Sequence, residues 1–167
     1  MQKRITVRLS PGSVKSALDE VASLMSANRN RLDDAARDLA ERICEKAQSN
    51  FDAAWYDSLA RGVRGEADVK CRVEKTGTGY KVVAEGNEVT FIEFGAGVYY
   101  NPPAGTSPHP DGADLGFVIG GYGKGQGNQK AWGYYAEDGN LVITHGTAAQ
   151  MPLYRAFEEV LQEAKKR

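Results

Sequence analysis

The sequence predicts an α+β fold, in which helices pack against an antiparallel sheet. Apolar residues recur at helical spacing before residue 56 and again after residue 148, whereas apolar and polar residues alternate in the region between them. Turn-forming residues divide that middle region into segments of strand length. Because elements of one kind are grouped along the chain, the pattern indicates the α+β class. We expect the 167 residues to form a single domain, 1–167, with its own core.

Two helices are predicted at the amino-terminal end. Asn28 and Asn30 separate them, and the spacing of Asn30 and Asp33 resembles a capping box that opens the second helix. We expect Gly62 and Gly65 to end that helix. The first helix has an apolar face formed by Val14, Ala17, Leu18, Val21, Leu24 and Met25. The second has a face formed by Leu32, Ala36, Leu39, Ile43, Ala47, Phe51 and Trp55.

An antiparallel sheet of about five strands is predicted in the middle of the chain. The first three strands form a meander, because short glycine-containing turns separate them. The last two flank another such turn. The predicted strands are 68–75, 80–84, 89–94, 131–136 and 141–144.

A carboxy-terminal helix is predicted to pack on this sheet. From Ala148 onward the apolar residues return to helical spacing, and the sequence ends in three basic residues that complement the negative end of a helix dipole. Thr144 or Thr147 is expected to cap the helix, and Pro152 fits its first turn.

The composition indicates a soluble protein that is made in the cytoplasm, with no membrane partner. Twenty-one basic and 22 acidic side chains give a formal net charge of -1, and 41% of the residues are hydrophobic. No apolar run approaches the roughly 18 residues of a membrane-spanning helix. The amino-terminal residues lack the apolar core of a signal peptide. Two cysteines, Cys44 and Cys71, are too few for a disulfide framework and lack zinc-binding spacing.

The sequence has no motif that predicts a catalytic, cofactor-binding or metal-binding residue. One Gly-Lys pair resembles the end of a phosphate-binding loop, but Val118 and Gly125 occupy positions that require glycine and a hydroxyl residue. His109 and His145 are 36 positions apart and have no further ligand at metal-binding spacing. A nucleophile elbow is also absent. We therefore expect a protein that is not an enzyme and that carries no cofactor.

Ten of the 19 glycines lie between positions 95 and 127, within a glycine-rich insert, 95–131, between two predicted strands. A connection of this length in a small domain is expected to be either functional or disordered. Aromatic residues among glycines suit a surface that becomes ordered against a partner. We therefore predict an assembly arm, with a passive loop and a small-ligand loop as alternatives. The candidate interface residues are Tyr99, Tyr100, Phe117 and Tyr122.

Two short motifs flank this insert, an E-F-G motif before it and a T-H-G motif with a following proline after it. Their residues are Glu93, Phe94, Gly95, Thr144, His145, Gly146 and Pro152. In this order and spacing the motifs resemble the neck or minor tail-component family of long-tailed double-stranded DNA phages, a tail-completion family related in role to the lambda tail protein Z. The resemblance covers roughly residues 30–167, with Leu153 and Tyr154 standing where the family has Phe-Leu.

The resemblance implies a structural virion protein at the head–tail junction that completes or attaches the tail. We expect as partners other head–tail junction or tail proteins, and copies of the same chain in a ring. The motif residues then keep the fold, while insert 95–131 and the amino-terminal helices contact neighbours. The six basic and two acidic residues of segment 1–31 would bring a charge of +4 near the channel DNA. The alternatives are a tail-terminator or head-closure protein, and a small α+β enzyme with 95–131 as a lid.

Overall fold

Three helices and four antiparallel pairs of strands form the part of the chain that the computed structural model describes. That part comprises residues 11–58, 63–86, 88–101, 105–119, 130–135 and 139–166. It has the predicted α+β class. In chain order the elements are α1 (Pro11–Asp52), β1 (Trp55–Ser58), β2 (Val63–Glu66), β3 (Val69–Lys75), β4 (Tyr80–Gly86), α2 (Val89–Phe94), β5 (Gly105–Thr106), β6 (Val118–Ile119), β7 (Trp132–Tyr135), β8 (Leu141–Thr144) and α3 (Pro152–Lys165).

Helix α1 runs without a break across Asn28 and Asn30, so the prediction of two amino-terminal helices is wrong. An asparagine inside a helix costs only about 0.7 kcal/mol relative to alanine. A break would instead leave two further helix ends with amides and carbonyls that need partners. Strong helix formers nearby, such as Ala27 and Leu32, therefore continue the helix. Among the helices of the described residues, none combines the length and the hydropathy that crossing a bilayer requires.

Helix α1 also ends earlier than the apolar spacing predicts. Its last turn closes with the amide of Ala54 bonded to the carbonyl of Phe51. Trp55, which was expected on the helical face, begins β1, and β1 pairs with β2. Gly65 lies in β2, and Gly62 lies outside the described residues. The sequence does not predict this hairpin, because its strands have four residues each and the helical spacing continues to its first residue.

Strands β3 and β4 form the hairpin that the sequence predicts. On the inner face Val69, Cys71 and Val82 pack against apolar residues of α1 and α3. On the outer face Arg72 forms an ion pair with Glu74 at 2.7 Å. The alternation of apolar and charged residues in the sequence therefore corresponds to the two faces of this hairpin.

A side chain of α1 occupies the free edge of β3. The Gln48 side-chain amide donates to the carbonyl of Val69 at 2.9 Å and accepts from the amide N–H of Cys71 at 2.8 Å. These are bonds that a further strand would make. Across the described residues the strands form four separate pairs, so the predicted sheet of about five strands is wrong. The two carboxy-terminal strands do form a hairpin, β7 with β8, but it stands apart from β3 and β4.

The third predicted strand, residues 89–94, is helix α2. Over so short an apolar segment, alternation and helical spacing fit almost equally well. Burial identifies the helical turn, because Ile92 and the adjacent Glu93 are both buried while Phe91 is 46% exposed. Ile92 packs with Phe51 and Val69 in the core. This helical turn therefore places the carboxylate of Glu93 inside the fold, beside Ile92.

Helix α3 packs on α1 and α2, and it also contacts the β3–β4 hairpin, where Cys71 and Val82 pack against the cluster that contains Ala156 and Val160. Ala47 of α1 and Ala156 of α3 are fully buried where these two helices meet. Their small side chains allow the two helix axes to approach closely. Val160 extends the same contact toward the end of the helix. An exposed ion pair between Lys46 and Glu159, at 2.7 Å, flanks this interface.

We expect the Cys71 thiol to react slowly in the folded protein. Burial, with Cys44 as a smaller cause, raises the pKa of the Cys71 thiol from 9.0 to about 11. Because the thiolate is the reactive species, this rise makes alkylation at pH 8 about 100-fold slower than in the unfolded chain. The measurement is the rate of iodoacetamide alkylation in the Cys44→Ser variant, with and without urea.

The same rise makes stability depend on pH in a defined direction. The folded chain keeps the Cys71 proton until about pH 11, whereas the unfolded chain loses it near pH 9.0. The contribution of the protonated Cys71 thiol to the free energy of unfolding is therefore fully present below pH 9, and it is lost as the pH rises toward 11. Equal alkylation rates with and without urea at pH 8 would contradict this assignment.

Candidate functional site

Glu93 lies at the centre of a buried hydrogen-bond network. Its side chain is on the inner side of α2 and the residue is only 5% exposed. Its carboxylate accepts the amide N–H of Leu153 on Oε2 and that of Tyr154 on Oε1, both at 2.9 Å. These first-turn amides of α3 have no partner within their own helix. Glu93 therefore caps α3 from another element and complements the positive end of its dipole.

The cap is needed because the residues before α3 supply none. Met151 occupies the N-cap position in the left-handed region, at φ 53°, and makes no capping side-chain bond. Thr144 and Thr147, the predicted caps, bond elsewhere. The Thr144 hydroxyl accepts the amide N–H of Gly146 at 3.0 Å, and Thr147 pairs with Ala96 through its backbone. The prediction of a threonine cap is therefore wrong.

His109 makes the third contact with Glu93. The residue is 6% exposed, and its Nε2 lies 3.2 Å from Glu93 Oε1. Its other ring nitrogen, Nδ1, accepts the amide N–H of Asp111 at 3.1 Å. This pattern assigns the ring proton to Nε2, which donates it to the carboxylate. Since His109 belongs to the glycine-rich insert, the single carboxylate of Glu93 joins α2, the insert and α3.

Aromatic rings surround the Glu93–His109 pair. Phe94 stacks on Phe117 with ring centroids 3.8 Å apart, and its ring lies 4.5 Å from that of His109. The Tyr154 ring lies 5.1 Å from His109 on another side. Phe117, one of the candidate interface residues, is thus half-buried in this cluster. Ser107, His109 and Phe117 of the insert consequently pack into the body of the fold, while most residues between them are exposed.

The two motifs lie side by side, although they are about 50 positions apart in sequence. Ala96 and Thr147 exchange two backbone hydrogen bonds of 2.8 Å. Three residues further on, the amide of Gln150 donates to the carbonyl of Ile92 at 2.9 Å. Pro152 then occupies the first position of α3, as predicted. The chain segments that carry the resemblance therefore form one connected unit.

Asn101, which belongs to the glycine-rich insert, forms hydrogen bonds to both segments of this unit. Its Nδ2 donates to the carbonyls of Gly97 and Thr147, both at 2.8 Å, and its Oδ1 accepts the amide N–H of Ala149 at 2.9 Å. Gly95 of the first motif has φ 80°, and a Cβ placed there would lie 2.7 Å from Asn101 Oδ1. Glycine is therefore required at position 95 by its backbone conformation and by this close approach.

The remaining candidate interface residues that the structure describes lie at the surface. Tyr99 is 51% exposed and stacks on the ring of His145 with centroids 4.4 Å apart. Tyr100 is 38% exposed and meets Tyr99 edge-on at 4.8 Å. Tyr122 lies outside the described residues. The structure thus brings Tyr99, Tyr100 and His145 of the second motif together, and it places Phe117 in the cluster around Glu93.

The arrangement around Glu93 is suited to holding chain segments together. Both oxygens of the carboxylate accept helix amides, and every buried polar side-chain atom of the described residues has a hydrogen-bond partner. Within the same part of the chain no three histidine, cysteine or acidic side chains are grouped to hold a metal ion. His109 and His145 belong to two different clusters, one around Glu93 and one at Tyr99.

Sequence reasoning identifies Glu93 through the motif but not the side chains that complete the site. Asn101, His109 and Gln150 each bond to a distant part of the chain, at separations of 46, 16 and 95 positions respectively. No periodicity marks such residues. The one local signal is a positive-φ glycine in each motif, Gly95 and Gly146, which indicates a backbone under close constraint.

No protein-family model, curated protein or solved structure matches the chain. Support for a function therefore comes from the geometry around Glu93, from the surfaces that the fold leaves exposed and from the resemblance that the two motifs carry.

Proposed function

We propose that the protein is a structural component of a phage or prophage particle, made in the bacterial cytoplasm and placed at the head–tail junction, where it completes or attaches the tail. The observation that carries the proposal is that the two chain segments that carry the motifs are joined, through the backbone pairing of Ala96 with Thr147 and through the bonds of Glu93 to the first turn of α3. Two motifs that serve one structural purpose are expected to occur together, in the order that the resembled family has. Their role is to hold α3 and the insert in place, so contacts with other proteins fall to the exposed surface.

The exposed surface supports an assembling role. Large apolar side chains are exposed to solvent on α1 and beside the second motif. They include Met25 at 68%, Leu32 at 73% and Tyr99 at 51% exposure. Exposed apolar side chains that are grouped in this way are typical of contact surfaces. A closed ring requires two different contact faces on each copy. The amino-terminal half of α1 and the surface around Tyr99 and Tyr100 are two such faces.

The charge distribution agrees with proximity to DNA but not with tight binding of free DNA. The net charge is -1, whereas segment 1–31 carries six basic and two acidic residues. Non-specific affinity for DNA depends on the number of phosphates that lysine and arginine neutralise. In this proposal the basic amino end approaches channel DNA, and protein contacts hold the chain in the particle.

The test is removal of the chain from the phage or prophage that encodes it. We expect plaque formation to be lost and to return when the wild-type chain is supplied from a plasmid. Glu93→Ala should restore it less well, because the loss of the cap lowers the stability and with it the amount of folded protein in the cell, while the exposed control Glu159→Ala should restore it fully. Normal plaque formation without the chain would overturn the proposal.

A further inference from the structure

An open apolar groove crosses the body of the fold next to the Glu93 cluster. Helices α1, α2 and α3, strand β4 and the turn at 109–115 form its walls, and its volume is about 710 Å³. Leu39, Val82 and Phe157 contribute to its apolar lining. Leu115, at its mouth, is 60% exposed, and Phe157 is 45% exposed. A concave apolar surface of this kind is typical of a binding site.

A second apolar surface, the α1 stripe, lies on the amino-terminal half of α1. Between Lys15 and Leu32 no described side chain is buried, and Leu24 alone is half-buried. The stripe residues are separated by three, four and seven positions, which places them on one side of the helix. They are Leu18 at 64%, Val21 at 39%, Met25 at 68% and Leu32 at 73% exposure. An amphipathic helix obtains most of its stability from packing of that side, so the stripe calls for a partner.

The α1 stripe cannot enter the groove of its own chain. Leu39, which lines the groove, belongs to the same continuous helix and follows Leu18 by 21 residues. At 1.5 Å per residue the two side chains are about 32 Å apart along the helix axis. A partner that brings the two surfaces together must therefore be a different molecule.

Charges beside the two surfaces are complementary. Arg29 and Arg31 are close to the stripe on α1, Asp111 lines the groove, and the exposed Asp114 directly precedes the lining residue Leu115. All four side chains are exposed, and within the described part of the chain none of them forms an ion pair. Opposite charges on facing surfaces speed association and fix its register. A second copy of this chain supplies both the apolar and the charged match.

We infer that the α1 stripe of one copy docks in the apolar groove of a second copy. The contact is heterologous, since two different surfaces meet, so each pair retains one free stripe and one free groove. Further copies can add until the arrangement closes as a ring. The inference deepens the proposed function by naming the contact that would build the ring. It rests on the proposed function only in assigning the ring to the phage particle. The contact itself is a property of the purified chain and can fail or hold independently of the plaque test.

The experiment uses the full chain and two exposed positions, one on each surface. Met25→Asp removes the stripe and Leu115→Asp removes the groove mouth, and Tyr135→Asp, 76% exposed on β7, is the matched control. Sedimentation equilibrium measures the mass of each chain as a function of concentration. We expect wild type and Tyr135→Asp to associate with similar dissociation constants. For each of the other two variants we expect a dissociation constant at least tenfold higher than that of wild type. Circular dichroism of each variant confirms that the helices remain.

Mixing the two defective variants distinguishes this contact from other ways of pairing. Met25→Asp keeps an intact groove and Leu115→Asp keeps an intact stripe, so the mixture should form heterodimers with an affinity close to that of one wild-type contact. A coiled coil between two α1 stripes would instead leave Leu115→Asp associating like wild type, and that result would overturn the inference. A wild-type chain that stays monomeric at millimolar concentration would also overturn it.

A charge exchange tests the register of the same contact. Arg29→Glu combined with Arg31→Glu should weaken self-association at least tenfold at low salt. Mixing that variant with Asp111→Lys combined with Asp114→Lys should restore the association. Failure of the exchanged pair to associate more strongly than either variant alone would contradict the proposed facing of these side chains.

Discussion

Replacing Glu93 with alanine is expected to lower the free energy of unfolding by about 3 kcal/mol. The substitution leaves the amides of Leu153 and Tyr154 and the Nε2–H of His109 buried without an acceptor. Each buried donor without a partner costs about 1–3 kcal/mol, and loss of a helix cap alone costs about 1 kcal/mol. The measurement is urea unfolding followed by circular dichroism, with the midpoint and slope fitted together.

Two further variants distinguish the stability lost with the helix cap from the stability lost by removing any carboxylate. Glu93→Gln keeps one acceptor oxygen but turns an NH₂ group toward the other donors, so we expect a loss between that of alanine and zero. Glu159 makes only an exposed ion pair with Lys46, and such pairs contribute at most about 1 kcal/mol. A Glu93→Ala loss no larger than that of Glu159→Ala would show that Glu93 does not cap α3.

Gly95→Ala is expected to cost about 3 kcal/mol. The backbone at Gly95 has φ 80°, where a side chain is strained by about 1–3 kcal/mol. The added Cβ would also lie 2.7 Å from Asn101 Oδ1 and 3.0 Å from the Ala149 Cβ. Asn101 would have to move, and its bonds to Gly97, Thr147 and Ala149 would weaken. The free energy of unfolding, measured as for Glu93, reports the loss.

The matched control is Gly77→Ala in the turn between β3 and β4. A Cβ at Gly77 meets no atom within 4 Å, and its φ is not positive. Surface substitutions of this kind change stability by less than about 0.5 kcal/mol. If Gly95→Ala lowered the free energy of unfolding no more than Gly77→Ala does, the contact with Asn101 would not explain why the E-F-G motif has a glycine at position 95.

The elements that the sequence predicts correctly are those whose pattern is local. The hairpin of β3 with β4 and the hairpin of β7 with β8 each have two alternating segments around a turn. Helix α3 combines a proline at its start with a strongly amphipathic pattern. In these elements the same residues determine the local conformation and the buried face.

Of the elements that the sequence predicts wrongly, α1 depends on local helix propensity, and the others depend on tertiary contacts. The break expected at Asn28 and Asn30 does not form because surrounding residues favour the helix. Residues 89–94 are a helix because Ile92 and Glu93 must both face inward, and alternation would separate them onto opposite faces. Gln48, 23 positions from Cys71, bonds to the free edge of β3, where a further strand of a larger sheet would otherwise bond. None of these contacts leaves a periodic trace in the sequence.

The candidate site was predictable only in part for the same reason. Glu93, Gly95 and Pro152 are identified by the motifs, and the structure gives each a role in one connected unit. Its other members, Asn101 and His109, come from the glycine-rich insert. Their positions depend on a chain path that composition alone does not define.

The most direct test of the proposed role is electron microscopy of particles assembled without this chain. The proposal predicts filled heads and tails that are incomplete or separate from one another, with joined particles returning when the wild-type chain is supplied. Complete, joined particles in its absence would contradict a place for this protein at the head–tail junction.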